Sequence, residues 1–204
     1  MTVLSALPEG LRVPATEIYL DAFWAKFAPI LRRDKADVVA LFAPKARLDR
    51  AIAAVEGERL LGIAGYKDAD GGFFDVDLAD LRGAFGRIGG TWRALALSLF
   101  ERKPTPGEFL MDGIAVTPEA RGKGVGSALL SSVEAQARSL GYGRVRLDVV
   151  DTNPRARQLY ERVGFEAVET ERLKVFKPIF GFAASTRMVK HIGVTPSDQE
   201  TPAQ

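Results

Sequence analysis

The chain is poor in the residue types that reactive and metal-binding sites most often use. Its 204 residues include no cysteine, which excludes disulfide bonds and thiolate chemistry. It has a single histidine, His191, so a metal site built from several histidines is excluded as well. We therefore expect no metal, and the simplest interpretation of His191 is a solvated residue at the end of a strand.

A strong net charge and a long apolar run are also missing. The 28 basic and 26 acidic side chains leave a formal charge of +2, which is too small to indicate nucleic acid or a membrane surface as a partner. We find neither a signal peptide nor an apolar run of membrane length, so the default expectation is a cytoplasmic location. The length fits one domain over residues 1–204.

What the chain does contain is a glycine-rich loop, Arg121-Gly122-Lys123-Gly124-Val125-Gly126-Ser127. The apolar run 109–116 before it predicts a strand, and the amphipathic pattern 127–140 after it predicts a helix. Glycines let backbone N–H groups approach a ligand closely, and a helix N-terminus adds unpaired donors with partial positive charge. With Arg121 and Lys123 beside it, the loop predicts a phosphate or pyrophosphate site. The alternative is a loop that merely turns the chain.

Three glycine-rich patterns bind phosphates and can be compared with this loop. A P-loop needs Gly-Lys-Ser/Thr at its end, and Lys123 instead lies between glycines. The dinucleotide pattern needs a third glycine where Ser127 stands. The third pattern, R/Q-x-x-G-x-G/A, is matched by Arg121, Gly124 and Gly126.

That third pattern is the phosphate-binding signature of the GNAT superfamily of acyl-CoA N-acyltransferases. The segment 110–130 resembles the central GNAT segment almost position by position. A second segment, 153–165, resembles the superfamily motif N-x-x-A-x-x-L-Y-x-x-x-G-F and contains Asn153, Ala156 and Tyr160. The specific resemblance covers about residues 108–166.

The resemblance implies an α/β class with the GNAT fold, in which a mixed central sheet is flanked by helices and two parallel strands splay apart. The patterns along the chain agree with such alternation. Helices are predicted over 14–27, capped by Thr16 and interrupted by Pro29, and over 34–42. Closing strands are predicted over 166–175 and 186–190. A disordered tail is expected after about residue 193.

A helical insertion is predicted over 77–102, with breaks at Gly86 and at Gly89-Gly90. Its larger apolar side chains suggest a packed helical cover: Phe85, Trp92, Leu95, Leu99 and Phe100. Packing in the core or in a homodimer is the preferred interpretation, and a substrate lid is the alternative.

The resemblance further implies direct acetyl transfer from acetyl-CoA to a primary amine in a ternary complex. Residues 121–127 would hold the pyrophosphate of CoA. Backbone groups of Ile114, Ala115 and Val116 would pair with the pantetheine arm, and one N–H would polarise the thioester carbonyl. The alternative is a catalytically weak acyl-CoA-binding regulatory module on the same fold.

Two residues of the second motif carry expected roles at the cofactor. Asn153 would contact pantetheine, together with Ala156, and Asn153 is equally suited to cap the helix that begins at Pro154. Tyr160 would bind the cofactor and protonate the departing thiolate. A tyrosine packed in the core is the alternative for Tyr160.

The general base is sought among the acidic residues of the central strand. In a regular strand Glu108, Leu110, Asp112 and Ile114 share one face. Asp112 is the first candidate and Glu108 the second, because an amine with a pKa near 10.4 must lose a proton before it attacks. For each, a structural carboxylate is the alternative, and a water chain could replace both.

The acceptor is expected to be set by segments 22–42, 73–100 and 176–182. These segments are rich in Phe and Trp and carry no acidic cluster, which argues against a polycationic acceptor. The sequence does not name the amine, which could belong to a small molecule or a peptide.

Overall fold

A seven-stranded mixed sheet organises the computed structural model, which describes residues 1–68, 71–173 and 177–193. The strand order is β1-β2-β3-β4-β5-β7-β6. The strands are β1 Thr2–Leu4, β2 Ala51–Glu56, β3 Arg59–Lys67, β4 Glu108–Val116, β5 Arg144–Val150, β6 Glu166–Arg172 and β7 Ala184–His191. The helices are α1 Arg12–Leu31, α2 Lys35–Phe42, α3 Leu78–Ser98, α4 Val125–Ser139, α5 Pro154–Arg162 and α6 Lys177–Phe180. The α/β class predicted from the sequence is confirmed.

The parallel pair β4–β5 is the feature that positions the site. These strands pair only from Glu108 opposite Arg144 to Leu110 opposite Arg146. Both strands continue beyond that point without pairing to each other, whereas β3 follows β4 as far as Val116 and β7 follows β5 as far as Val150. The expected splaying of the two parallel strands is therefore confirmed, and it leaves one backbone edge of β4 open.

Two apolar cores lie on opposite faces of the sheet. One forms between α1, α2 and the sheet, with Leu20, Leu31 and Ile63 fully buried. The other forms under α4, where Leu129 and Val133 pack against β4 and β5. Burial of this apolar surface fixes both helical layers and so holds the splayed strands between them.

The first helix differs from its prediction at both ends. It begins at Arg12, so Thr16 lies inside it, where the Thr16 hydroxyl donates to the Arg12 carbonyl at 2.9 Å. The prediction of a Thr16 cap was wrong. Pro29 lies within the helix, which runs on to Leu31. Packing on the sheet outweighs the hydrogen bond that proline removes.

Residues 77–102, predicted as a helical insertion, contain the helix α3 over Leu78–Ser98, but one of the two predicted breaks is absent. Gly86 has φ +74°, a left-handed conformation that divides α3 into two halves. Gly90 instead lies in the helix, where a Cβ would approach Arg82 N to 2.4 Å, so the glycine permits the two halves to touch. The prediction that these side chains form a packed cover was only partly right. Phe85 and Phe100 are half-buried, whereas Trp92, Leu95 and Leu99 are exposed.

The C-terminal region supplies β6 and β7, close to the two closing strands predicted from the sequence. Strand β6 ends at Arg172, and residues 174 and 175 of its predicted range lie outside the described residues. The predicted tail after residue 193 lies outside them too.

Candidate active site

A cavity of about 350 Å³ fills the wedge between β4 and β5. Helix α1 and the segment 180–182 before β7 close one end, and the start of α5 closes the other. Its lining includes Asp112, Ile114, Asn153 and Tyr160 of the residues predicted from sequence. The splay of the parallel pair thus produces the one opening in which these four residues meet.

A β-bulge in β4, next to the cavity, changes which face of the sheet each side chain occupies. Gly65 pairs with Gly113, but the next residue of β3, Tyr66, pairs with Met111, so Asp112 is an extra residue in β4. Phe109 and Met111 pack under α4 before the bulge, and Ile114 packs there after it. The prediction that Ile114 shares a face with Glu108 and Asp112 was therefore wrong, because the bulge reverses the alternation of the strand.

Asp112 projects at the bulge toward α1. The Tyr19 hydroxyl donates to Asp112 Oδ2 at 3.3 Å. Burial raises the pKa of the Tyr19 phenol, and the adjacent Asp112 carboxylate raises it further, so Tyr19 stays a neutral donor. Gly113 is required beside it, because a Cβ there would lie 2.5 Å from the Phe23 ring.

Glu108, the second candidate base, lies apart from the cavity. Its carboxylate faces Arg144 at 3.7 Å, at the paired start of the two parallel strands. It is absent from the cavity lining. Of the two candidate bases, Asp112 therefore lines the cavity and Glu108 does not.

Tyr160 reaches the cavity from α5 and is otherwise buried, with its ring 6.0 Å from that of Phe165. Burial raises the pKa of the Tyr160 phenol, because the anionic form would lose its hydration. The phenol therefore remains protonated throughout the physiological range. Tyr160 is thus packed in the core, as its alternative interpretation predicted, and also lines the cavity, while its role as proton donor stays a prediction.

Asn153 caps α5, as one of its two interpretations proposed. Its Oδ1 accepts from the Ala156 N–H at 3.2 Å. Asn153 also lines the cavity. The cap uses the side-chain oxygen and leaves the amide nitrogen for a second partner.

The glycine-rich loop enters α4 without a side-chain cap. Gly124 precedes the helix with φ +80°, and the N–H groups of Val125, Gly126 and Ser127 have no acceptor among the described residues. The loop does not line the cavity, but a Cβ at Gly126 would lie 3.0 Å from the Leu159 side chain, next to Tyr160. The open helix N-terminus therefore lies beside the helix that carries Tyr160, and its donors suit an anion.

The remaining predicted cofactor residues do not line the cavity either. Arg121 is exposed and donates from Nε to the Val116 carbonyl at 3.3 Å, and Lys123 is exposed. Val116 and Ala115 pair with β3 and do not line the cavity.

Several cavity residues were not identified from the sequence. Tyr19 and Lys26 come from α1, and three phenylalanines form what we call the aromatic wall: Phe100, Phe180 and Phe182. Phe100 and Phe180 meet edge-to-face with centroids 4.7 Å apart. The sequence signal was only regional, since the segments expected to set the acceptor include all of the wall and Lys26. Residue 176 of those segments lies outside the described residues.

Two further findings concern the part of the chain that the structure describes. Across residues 1–68, 71–173 and 177–193, no group of three or more His, Asp or Glu side chains could hold a metal ion. Within the same ranges, no helix is both long and apolar enough to cross a membrane.

Comparison with known proteins identifies the family. The model of the acetyltransferase (GNAT) family matches residues 16–165, so the chain belongs to that family. It is 41% identical over 58 residues to the mycothiol acetyltransferase of Propionibacterium freudenreichii, a match that covers 28% of this chain and 19% of that protein. It is 41% identical over 54 residues to the thialysine N-epsilon-acetyltransferase of Bos taurus, covering 26% of this chain and 32% of that protein.

Solved structures resemble the whole chain more distantly. A phosphinothricin acetyltransferase from Sinorhizobium meliloti, in complex with AcCoA, superposes with a TM-score of 0.58 at 18% identity over 98% of this chain and 95% of that chain. At that identity the likeness concerns the fold. It confirms the GNAT fold that the two sequence motifs predicted.

Proposed function

We propose that this chain is an N-acetyltransferase that transfers the acetyl group of acetyl-CoA directly to a primary amine while both substrates are bound. The observation that carries this proposal is the cavity at the splayed strands, where Asp112 and Tyr160 project from β4 and α5 into one space. The family membership and the AcCoA complex of a protein with the same fold support it.

The residues present fit the acyl donor. The uncapped N-terminus of α4 offers unpartnered N–H groups and a partial positive charge to a pyrophosphate, with Arg121 and Lys123 exposed beside it. The edge of β4 that lacks a strand partner after Leu110 can bind an extended pantetheine arm through its backbone. Asn153 keeps an amide nitrogen for the same arm. Acetyl-CoA supplies an acetyl group activated as a thioester.

The reaction then requires two proton transfers, one from the amine and one to the leaving sulfur. The acceptor amine is mostly protonated at neutral pH, and Asp112 on the cavity is placed to accept its proton. The amine lone pair forms the C–N bond, the C–S bond breaks, and the sulfur leaves with the bonding electrons. Tyr160, held protonated by burial, donates its proton to that sulfur and regains one from the nitrogen of the new amide. The products are an N-acetyl amide, the free CoA thiol and one released proton.

The test removes the Tyr160 hydroxyl. We expect Tyr160→Phe to bind acetyl-CoA as the wild type does while kcat falls roughly 100-fold, the usual contribution of a positioned acid. CoA thiol release with a panel of amines measures kcat, and the melting temperature with and without acetyl-CoA measures binding. Tyr142→Phe is the matched control, since Tyr142 packs on Phe109 outside the cavity.

Two results would count against the proposal. Acetyl-CoA binding without thiol release from any amine would indicate a binding module rather than an enzyme. Unchanged turnover in Tyr160→Phe would remove the assigned role of the phenol.

A further inference from the structure

The charged groups of the cavity divide into paired and unpaired ones. Asp148 and Arg102 line it but are held by neighbours: Asp148 accepts from Arg146 at 3.2 Å, and Arg102 contacts Glu171 at 3.2 Å and Asp148 at 3.8 Å. Those charges are already balanced inside the protein. They are poorly placed to select a charged ligand, because a ligand would have to displace an existing ion pair.

Lys26 is different. Among the described residues its ammonium forms no salt bridge or hydrogen bond with any side chain. It lies 5.4 Å from the centroid of the Phe100 ring and 5.6 Å from that of Phe27, over apolar aromatic surface. Burial lowers the pKa of Lys26, and the nearby Asp112 and Glu101 carboxylates offset only part of that effect. An anion bound next to the ammonium would stabilise its charged form further.

Asp112 is the corresponding anion. It is bound only by the neutral Tyr19 hydroxyl at 3.3 Å, and no cation pairs with it among the described residues. Tyr19 and Lys26 lie on either side of Phe23, where α1 has a non-helical backbone conformation, and both line the cavity. The cavity therefore presents one carboxylate at the β4 bulge and one ammonium on α1, each influenced by the charge of the other but neither in a salt bridge with a described residue.

The aromatic wall lies next to Lys26, since Phe100 contacts its ammonium and packs on Phe180. Phe180 and Phe182 are almost completely buried and their rings are 6.1 Å apart. This wall offers apolar surface to the part of a ligand that carries no charge.

We propose that the acceptor is a small primary amine that also carries a carboxylate and an apolar body, with the carboxylate bound by Lys26 and the apolar body packed on the aromatic wall. The ammonium of such a molecule approaches Asp112, which brings it to the open edge of β4. A free amino acid with an apolar side chain has this chemistry, whereas a peptide N-terminus lacks the carboxylate close to its amine. This assignment rests on the proposed acetyl transfer for its place in the reaction, but its charge selection can be measured by binding alone.

The experiment titrates the CoA-saturated protein with matched sets of three amines by calorimetry. One set is L-phenylalanine, L-phenylalaninamide and 2-phenylethylamine; corresponding sets are built on L-leucine and L-methionine. We expect at least one amino acid to bind roughly tenfold more tightly than its amide and its decarboxylated amine. Lys26→Met should abolish that preference and Lys26→Arg should retain most of it.

Lys35→Met is the matched control, because Lys35 also lies over an aromatic ring, at 5.5 Å from Trp24, but outside the cavity. It should leave the preference unchanged. The proposal is overturned if no amino acid binds better than its uncharged partners, if Lys26→Met keeps the preference, or if Lys26→Met weakens CoA binding instead.

Thiol release measured on the same amines separates this proposal from the proposed function. Selective binding without acetyl transfer would uphold the carboxylate site and reject the enzyme. Equal transfer to all members of each set would uphold the enzyme and reject the site.

Discussion

The two ends of the cavity offer different kinds of chemical group to a ligand. At the end formed by α5 and the open edge of β4, with the N-terminus of α4 beside it, the groups offered to a ligand are mainly backbone N–H groups of a helix start and a strand edge. At the end formed by α1 and the aromatic wall, they are side chains: Asp112, Tyr19 and Lys26. In the proposed function the first end binds acetyl-CoA, which is the same whatever the acceptor, and we call it the donor end. The second end, the acceptor end, would bind the amine, and single substitutions there can change which amine is bound while the fold is kept.

The largest expected effect tests whether the donor end depends on its backbone. Gly124 has φ +80°, which a β-branched residue rarely adopts, so Gly124→Val should distort the loop that opens α4. We expect acetyl-CoA affinity, measured by calorimetry, to fall by about 100-fold and the free energy of unfolding by about 1–2 kcal/mol.

Gly141→Val provides a matched control at the other end of α4. Gly141 also has φ +80° and open space where a Cβ would lie. It should lose similar stability and keep acetyl-CoA affinity. Equal losses of affinity in both variants would mean that general destabilisation, rather than the loop, explains the effect.

The next effect tests the side-chain end. Asp112→Asn should lower kcat/KM roughly 30-fold at neutral pH, because the amine loses its proton acceptor. The deficit should shrink as the pH rises toward the pKa of the amine, near 10, since more of the amine is then already neutral. A pH profile of thiol release measures this trend.

Glu108→Gln is the comparison variant, because Glu108 faces Arg144 away from the cavity. It should change kcat/KM less than about threefold. A larger loss in Glu108→Gln than in Asp112→Asn would reverse the choice of base.

The smallest effect concerns a surface that belongs to neither end. Ile88, Trp92 and Leu95 on α3, together with Leu99 directly after it, form an exposed apolar stripe, and Leu95 is 68% exposed. Leu95→Glu should change the free energy of unfolding by less than about 0.5 kcal/mol, whereas Leu81→Ala, at a buried position, should cost about 2–3 kcal/mol. Denaturant unfolding compares them.

Sedimentation of the same variants tests the homodimer that the sequence suggested. A dimer that uses the α3 stripe should dissociate in Leu95→Glu, while one that forms elsewhere should not.

The local structure at the donor end could be predicted from the sequence because it depends on residues that are close in the chain. Gly124 before α4, Asn153 before Pro154 and the strand before the loop each follow from backbone geometry within a few residues. The α/β class and both motifs could therefore be identified without a structure. The sequence also predicted that side chains along β4 alternate between the two faces of the sheet. This prediction failed at Asp112, because the bulge there depends on the register of pairing between β3 and β4.

The sequence by itself determined the family, the glycine-rich helix entry, and the positions of Asp112 and Tyr160 in the chain. The tertiary structure decided that Asp112 and Tyr160 line one cavity and that Glu108 does not. It also decided that Lys26 and the aromatic wall, which come from separate segments, lie together at the acceptor end. The physical reason is that an unpaired charge or an aromatic cluster is a property of neighbours in space, and packing of α1 against the splayed sheet brings those neighbours together.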